Sequence, residues 1–205
     1  MDEFGAVGYV AARVEAITAR AGFGYGTFYN YFSSKVDLIR AVAEVVYSEL
    51  FDPMLRAPGP PVPVAQRMFD GILDYMKICH RHRRDLLVLD DAVGSDPSVA
   101  SRVESLRERY AEAWGDRMVR QLAYHPVADP VLVGRITNSL GHDIVLRFIR
   151  SESCTGDPAT DAAELERLAR IATVMTMAAV DPGSLGVDPD RLRQIMEHVE
   201  PSADA

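Results

Sequence analysis

Strand signals are nearly absent from this chain of 205 residues, and long apolar runs and cysteine are scarce. No stretch of about 18 uninterrupted apolar residues occurs, so no membrane-spanning helix is expected. The N-terminus lacks the basic start and apolar run of a secretory signal. The two cysteines, Cys79 and Cys154, cannot build a disulfide framework, and no CxxC pair is present. Both are expected as reduced thiols in a cytoplasmic chain. Neither GxSxG, a P-loop nor a GxGxxG after a strand is found, so an enzyme is not expected. HxxxH and HExxH spacings are missing too, so neither metal ligands nor a cofactor are expected among the five histidines. Positive charge is short: 22 Lys and Arg stand against 30 Asp and Glu, a formal net charge of -8. Such a chain is not a general polyanion binder, and any contact with nucleic acid must be local and geometric.

What is present is apolar residues at spacings of three and four. With 48% hydrophobic and 25% charged residues, the chain can bury a core and is not disordered in bulk. Val10, Val14, Ile17 and Ala21 fit one helical face, and Leu38, Val42, Val45 and Val46 another. Ser34 followed by Asp37 predicts a capping box at the start of that second helix. Asp52 to Pro63 holds five prolines and a glycine, which predicts no regular helix there. That stretch separates a head, residues 1–51, from a body, residues 64–205. In the body, Asp96-Pro97 and Asp129-Pro130 each read as an N-cap followed by proline at the first helical position. Further helices are expected over 64–82, around Leu86 to Val93, over about 160–180, and over about 189–198 behind Asp188. The fold class read from this pattern is all-α.

The head holds the most specific signal. Two short helices flank a tight turn at Ala21-Gly22-Phe23-Gly24. The second, read as Tyr25 to Phe32, buries Phe28 and Phe32 and presents Tyr25, Thr27, Tyr29, Asn30 and Tyr31. This is a helix-turn-helix layout, whose second helix offers its N-terminal part to the DNA major groove. Hydroxyls of Thr27, Tyr29 and Tyr31 can reach phosphates or base edges. Lys35, at a helix start, suits a phosphate, and Gly26 permits close backbone approach.

The string from Gly8 to Leu38 resembles the TetR family of bacterial transcriptional regulators. Val14, Ile17, Ala21, Gly22, Gly26, Thr27, Tyr29, Tyr31, Phe32, Ser34, Lys35 and Leu38 sit where that pattern asks. The resemblance implies a DNA-binding surface of Tyr25, Gly26, Thr27, Tyr29, Tyr31 and Lys35, with Thr27 and Tyr31 near bases and Tyr29 and Lys35 on the backbone. Phe4 fills the place of the phenylalanine ending the family's first helix, so most of that helix is missing ahead of it. A start codon placed too far downstream and a real truncation are both open. Gly24 replaces the usual serine, a weaker cap. The head carries Arg13, Arg20, Lys35 and Arg40 against six carboxylates.

For the body, the resemblance implies effector binding and dimerisation. Met68, Ile72, Met76, Tyr110, Trp114, Met118, His142 and Phe148 are the expected pocket residues for a small apolar effector. Helices of about 129–151 and 160–180 carry Gly134, Gly141, Ala169 and Ala172, and are expected to pair as a homodimer's four-helix bundle. The run His80-Arg81-His82-Arg83-Arg84 reads as a solvated helix end. The leading reading is a dimeric repressor, released from double-stranded operator DNA by its effector. The alternative is a dimeric small-molecule-binding protein with an incomplete DNA-binding head.

Overall fold

The computed structural model describes residues 2–55, 62–121, 129–180, 186 and 188. Among the described residues there are nine α-helices and no strand: α1 Asp2–Ala11, α2 Val14–Arg20, α3 Tyr25–Phe28, α4 Lys35–Leu55, α5 Val64–Arg81, α6 Arg83–Ser95, α7 Pro97–Gln121, α8 Pro130–Arg150 and α9 Pro158–Val180. The expected helix over about 189–198 lies outside them. No helix among them is long and apolar enough to cross a membrane.

The start signals act as their chemistry requires. The Asp37 N–H donates to Ser34 Oγ at 3.2 Å, opening α4. Asp96 Oδ1 accepts from the Ser98 N–H at 2.9 Å at the head of α7. Asp129 Oδ1 accepts from the Val131 N–H at 2.9 Å at the head of α8. Each satisfies backbone donors that the first helical turn leaves without partners.

Two expectations are corrected. Helix α4 does not stop at Asp52 but runs through Pro53 to Leu55. A proline in a final turn forfeits one donor there, a smaller loss than in a helix interior. The segment after the head's turn is α-helical only over Tyr25–Phe28. Its continuation tightens: the N–H groups of Asn30 and Tyr31 donate three residues back, to Thr27 and Phe28 carbonyls at 3.3 and 3.0 Å. Gly26, a poor helix former, weakens the α-helical alternative at this point.

One contiguous core runs through head and body, from Phe4 and Ile39 through Leu50 and Met76 to Val145 and Met177. Helix α4 packs on α5, α6 and α7, and α1 lies on α6, so the head is seated on the body by two helices. Val46 and Leu50 of α4 are buried there, each stabilising the junction by about 1.5–3 kcal/mol. Helix α7 packs on α8, and α5 on α9. Gly134 makes the first of these contacts possible, because a Cβ there would lie 2.8 Å from the Ala111 carbonyl oxygen. Ala169 and Ala172 are buried. These small residues thus serve packing within the chain rather than an outer seam.

Candidate nucleic-acid interface and ligand pocket

The turn between α2 and α3 is made by Gly22, whose φ of 74° only glycine adopts without strain. It sets α3 across the end of α2. Phe28 points inward and meets Phe32, with ring centroids 5.5 Å apart. The opposite side of the segment is turned to solvent. There Tyr25, Tyr29 and Tyr31 are 49%, 48% and 78% exposed. Tyr25 and Tyr29 join hydroxyls at 2.9 Å, and that hydrogen bond, with some burial, raises the Tyr25 phenol above its usual range. Gly26 is exposed between them, while Thr27 is half-buried.

Lys35 stands differently from its expected place on a phosphate. Its ammonium donates to the carbonyls of Tyr9, Val10 and Ala12 at 2.6, 3.0 and 3.0 Å. It also lies 4.7 Å from the centre of the Tyr9 ring. Three donors meet three acceptors, so the lysine fastens the chain between α1 and α2 to the start of α4. Other cations of the head are engaged as well: Arg20 pairs with Glu3 at 2.6 Å and Arg40 with Asp37 at 3.7 Å. The guanidinium of Arg13, exposed at the N-cap of α2, has no side-chain hydrogen bond or ion pair among the described residues. The sequence shows it only as one of the head's four cations, because the periodicity marks the apolar neighbours of α2. Its place ahead of a helix start, next to unpaired N–H groups, was the available signal.

Thr27 and Tyr31 also border an apolar groove of about 390 Å³, with Ile17, Phe23, Phe28, Phe32 and Leu38 on its walls.

In the body, Met68, Ile72, Tyr110 and Trp114 come together around a cavity of about 30 Å³. Tyr75, Thr137, Asn138, Gly141, Ala172 and Thr176 complete its wall. Asn138 and Thr176 carry no side-chain hydrogen bond among the described residues. Among those residues, no charged side chain lines it. Met76 and Phe148, expected at the pocket, are core residues only 0% and 6% exposed. The side chain of Met118 lies outside the described residues.

His142 sits behind the Tyr75 wall in a polar chain. Arg107 donates from Nη2 to His142 Nε2 at 2.9 Å. The imidazole must then be neutral with its proton on Nδ1, which donates to the Tyr75 hydroxyl oxygen at 3.1 Å. Burial, followed by the charges of Arg107 and Arg150, holds His142 down to about 4. Burial pushes the Tyr75 phenol well above its usual range and the Cys79 thiol up to about 12. At the other end, Arg107 Nε donates to the Tyr47 hydroxyl of α4 at 3.2 Å. Phe51, one helical turn further along α4, stacks on Tyr110 with centroids 3.8 Å apart. The cavity wall is therefore in contact with the helix that carries the head. Asp143, next to His142, faces out and accepts from Arg147 at 2.7 Å.

The basic run near residue 80 does not form one solvated face. His80 is buried against Asp161 at 2.7 Å. His82 bridges Glu49 and Asp85 at 2.9 and 3.1 Å.

An apolar strip remains open on the outer side of α8 and α9. Leu132, Ile136, Ile171, Val174 and Met175 are between 40% and 56% exposed.

Residues 1–42 match the family model for bacterial regulatory proteins of the tetR family. No curated protein matches the chain. Among solved structures, GusR of Salmonella enterica is similar at 15% identity and TM-score 0.69, over 86% of this chain and 88% of that one. The TetR-family transcriptional regulator PfmR from Thermus thermophilus is similar at 17% identity and TM-score 0.61, over 86% and 93%. The fatty acid degradation regulator FadR from Bacillus halodurans is similar at 16% identity and TM-score 0.63, over 82% and 92%. At these identities the likeness is one of fold: a helix-turn-helix head on a helical body.

Proposed function

We infer that this chain, a TetR-family regulator by its head and its fold, is a cytoplasmic homodimer that binds operator DNA and leaves it when a small apolar effector enters the body. The family comprises transcription regulators, not enzymes. The observation that carries the reading is the outer side of the helix-turn-helix, where Tyr25, Tyr29 and Tyr31 are exposed together; the guanidinium of Arg13, at the N-cap of α2, is also exposed and unpaired among the described residues. Hydroxyls position a head on phosphates and base edges, and one cation neutralises a phosphate.

A single head reads one half-site, so a two-fold dimer is required for two. The apolar strip of Leu132, Ile136, Ile171, Val174 and Met175 supports that dimer. Large apolar side chains clustered on one face mark an interaction surface, and two helices from each subunit form a four-helix bundle.

The effector reading rests on the cavity between α5, α7, α8 and α9. Its walls are apolar, with Asn138 and Thr176 as uncharged polar contacts, which suits a neutral, mainly apolar molecule. The present volume admits little more than water, so binding requires the Trp114 and Met68 side chains to move. Movement of Tyr110 or Tyr75 is felt at Phe51 and Tyr47 of α4. An effector shifts the head only through different affinities for its two positions, typically about 1–3 kcal/mol.

Selection of bound fragments from the source genome, followed by sequencing, tests the function. The expected result is a palindromic site with half-sites about one helical turn apart. A second reading, a small-molecule-binding dimer whose head does not hold DNA, is favoured by one observation: Arg20, Lys35 and Arg40 are all engaged within the chain. Recovery of no enriched site at low salt selects that second reading.

A further inference from the structure

A third cluster shares no residue with the head's exposed face or with the lining of the apolar cavity. His80 comes from the last turn of α5, Cys154 from the connection after α8, and Asp161 from the first turns of α9. His80 and Asp161 are 1% and 2% exposed, and Cys154 is half-buried. His80 Nε2 lies 2.7 Å from Asp161 Oδ2, and Cys154 Sγ lies 3.6 Å from that same oxygen. All three ligand atoms fall within 4.8 Å of one another.

We propose that His80, Cys154 and Asp161 bind one divalent transition-metal ion of the zinc type.

Convergence is the first argument. The imidazole N–H and the thiol S–H both aim at one carboxylate oxygen, which already accepts from the Gly156 N–H at 2.9 Å. Replacing the two converging protons with one cation uses the same three atoms. On binding, the thiol proton leaves to solvent. The imidazole proton moves from Nε2 to Nδ1 by exchange with solvent, so that Nε2 presents its lone pair to the ion. Thiolate and carboxylate then supply two negative charges to balance a divalent ion.

Size is the second argument. Ligands at about 2.0–2.3 Å from a tetrahedral metal stand about 3.3–3.8 Å apart. Separations running from 2.7 Å to within 4.8 Å reach that geometry with shifts of an ångström or less. One nitrogen, one sulfur and one oxygen select a borderline ion over magnesium or calcium.

Support behind the ligands is the third. The Asp161 carboxylate is oriented by the Thr155 N–H at 3.1 Å and the Thr155 hydroxyl at 2.9 Å, both on Oδ1. The His80 ring lies near-parallel to Phe148, centroids 6.5 Å apart. Such outer contacts fix ligand orientation. Cys154, being half-buried, gives the ion an entry path. The bound ion joins α5 to the α8–α9 corner.

The test is cobalt titration of the full-length, chelator-stripped protein. One equivalent per chain is expected to produce a thiolate-to-cobalt charge-transfer band, which zinc abolishes on displacement. Cys154→Ser loses the band and weakens zinc binding at least about tenfold. Cys79→Ala retains both. His80→Gln keeps an amide N–H for Asp161, so it retains the fold by circular dichroism and also weakens zinc at least about tenfold. No band in the wild type, or a band that survives Cys154→Ser, means the three residues are a hydrogen-bonded fastening only. Unchanged zinc affinity in His80→Gln overturns the site in the same way.

Discussion

The Lys35 ammonium lies 2.6 Å from the Tyr9 carbonyl oxygen and 3.0 Å from those of Val10 and Ala12. This contact spans 26 residues and ties the entry of α4 to the end of α1. Lys35→Ala is therefore expected to destabilise the protein by about 2 kcal/mol, since charge-assisted bonds to backbone carbonyls are lost and three acceptors are released. Thermal unfolding of the variant checks this. An unchanged melting temperature would free the lysine for a phosphate instead.

The Arg13 guanidinium of the head is exposed and unpaired among the described residues, so it can meet a phosphate. Arg13→Ala is expected to weaken DNA binding and to reduce the salt slope by about one per head, at unchanged melting temperature. Tyr29→Phe also removes its bond to Tyr25 and should weaken binding without changing that slope. Fluorescence anisotropy over a salt series separates the two.

For the dimer, Ile136→Glu or Val174→Glu places charge in the strip exposed on α8 and α9. Sedimentation is expected to show a dimer for the wild type and monomer for either variant, with the helical content retained. Gly134 is not a substitute test, since any side chain there meets the Ala111 carbonyl within the same chain.

His142 gives a pH dependence of stability. Its folded pKa, about 4, lies below the ordinary 6.5. Between those values the unfolded chain takes up a proton that the folded chain refuses. The contribution, about 3 kcal/mol when fully developed, is present above 6.5 and lost as pH falls toward 4. His142→Gln, which still accepts from Arg107, should lose less stability across that window. Urea denaturation of both proteins from pH 7 to 4 checks the difference.

Much of this fold could be read before the structure. Asp96-Pro97 and Asp129-Pro130 mark helix starts because a side chain satisfying a bare N–H is a local event. Tyr25, Tyr29 and Tyr31 are legible for the same reason, being placed by a turn that Gly22 alone dictates. Contacts between distant segments were not legible. Lys35 reads as a free cation until the backbone bends past it at Tyr9. Met76 and Phe148 have the same character as Met68 and Trp114, and only the packing of α5 on α8 and α9 separates core from cavity wall. His80, Cys154 and Asp161 are too far apart in sequence to show any ligand spacing. Pro53 predicts an end to α4 at Asp52, and its place in the final turn is what lets the helix run on to Leu55.

Salt-dependent anisotropy on the selected palindromic site tests DNA binding by the dimer most directly. Binding is expected with two heads per site, with log affinity falling linearly against log salt. Affinity is expected to be at least about a thousandfold tighter than for a scrambled duplex of equal length. Equal affinity for both duplexes, or no binding at low salt, would contradict it.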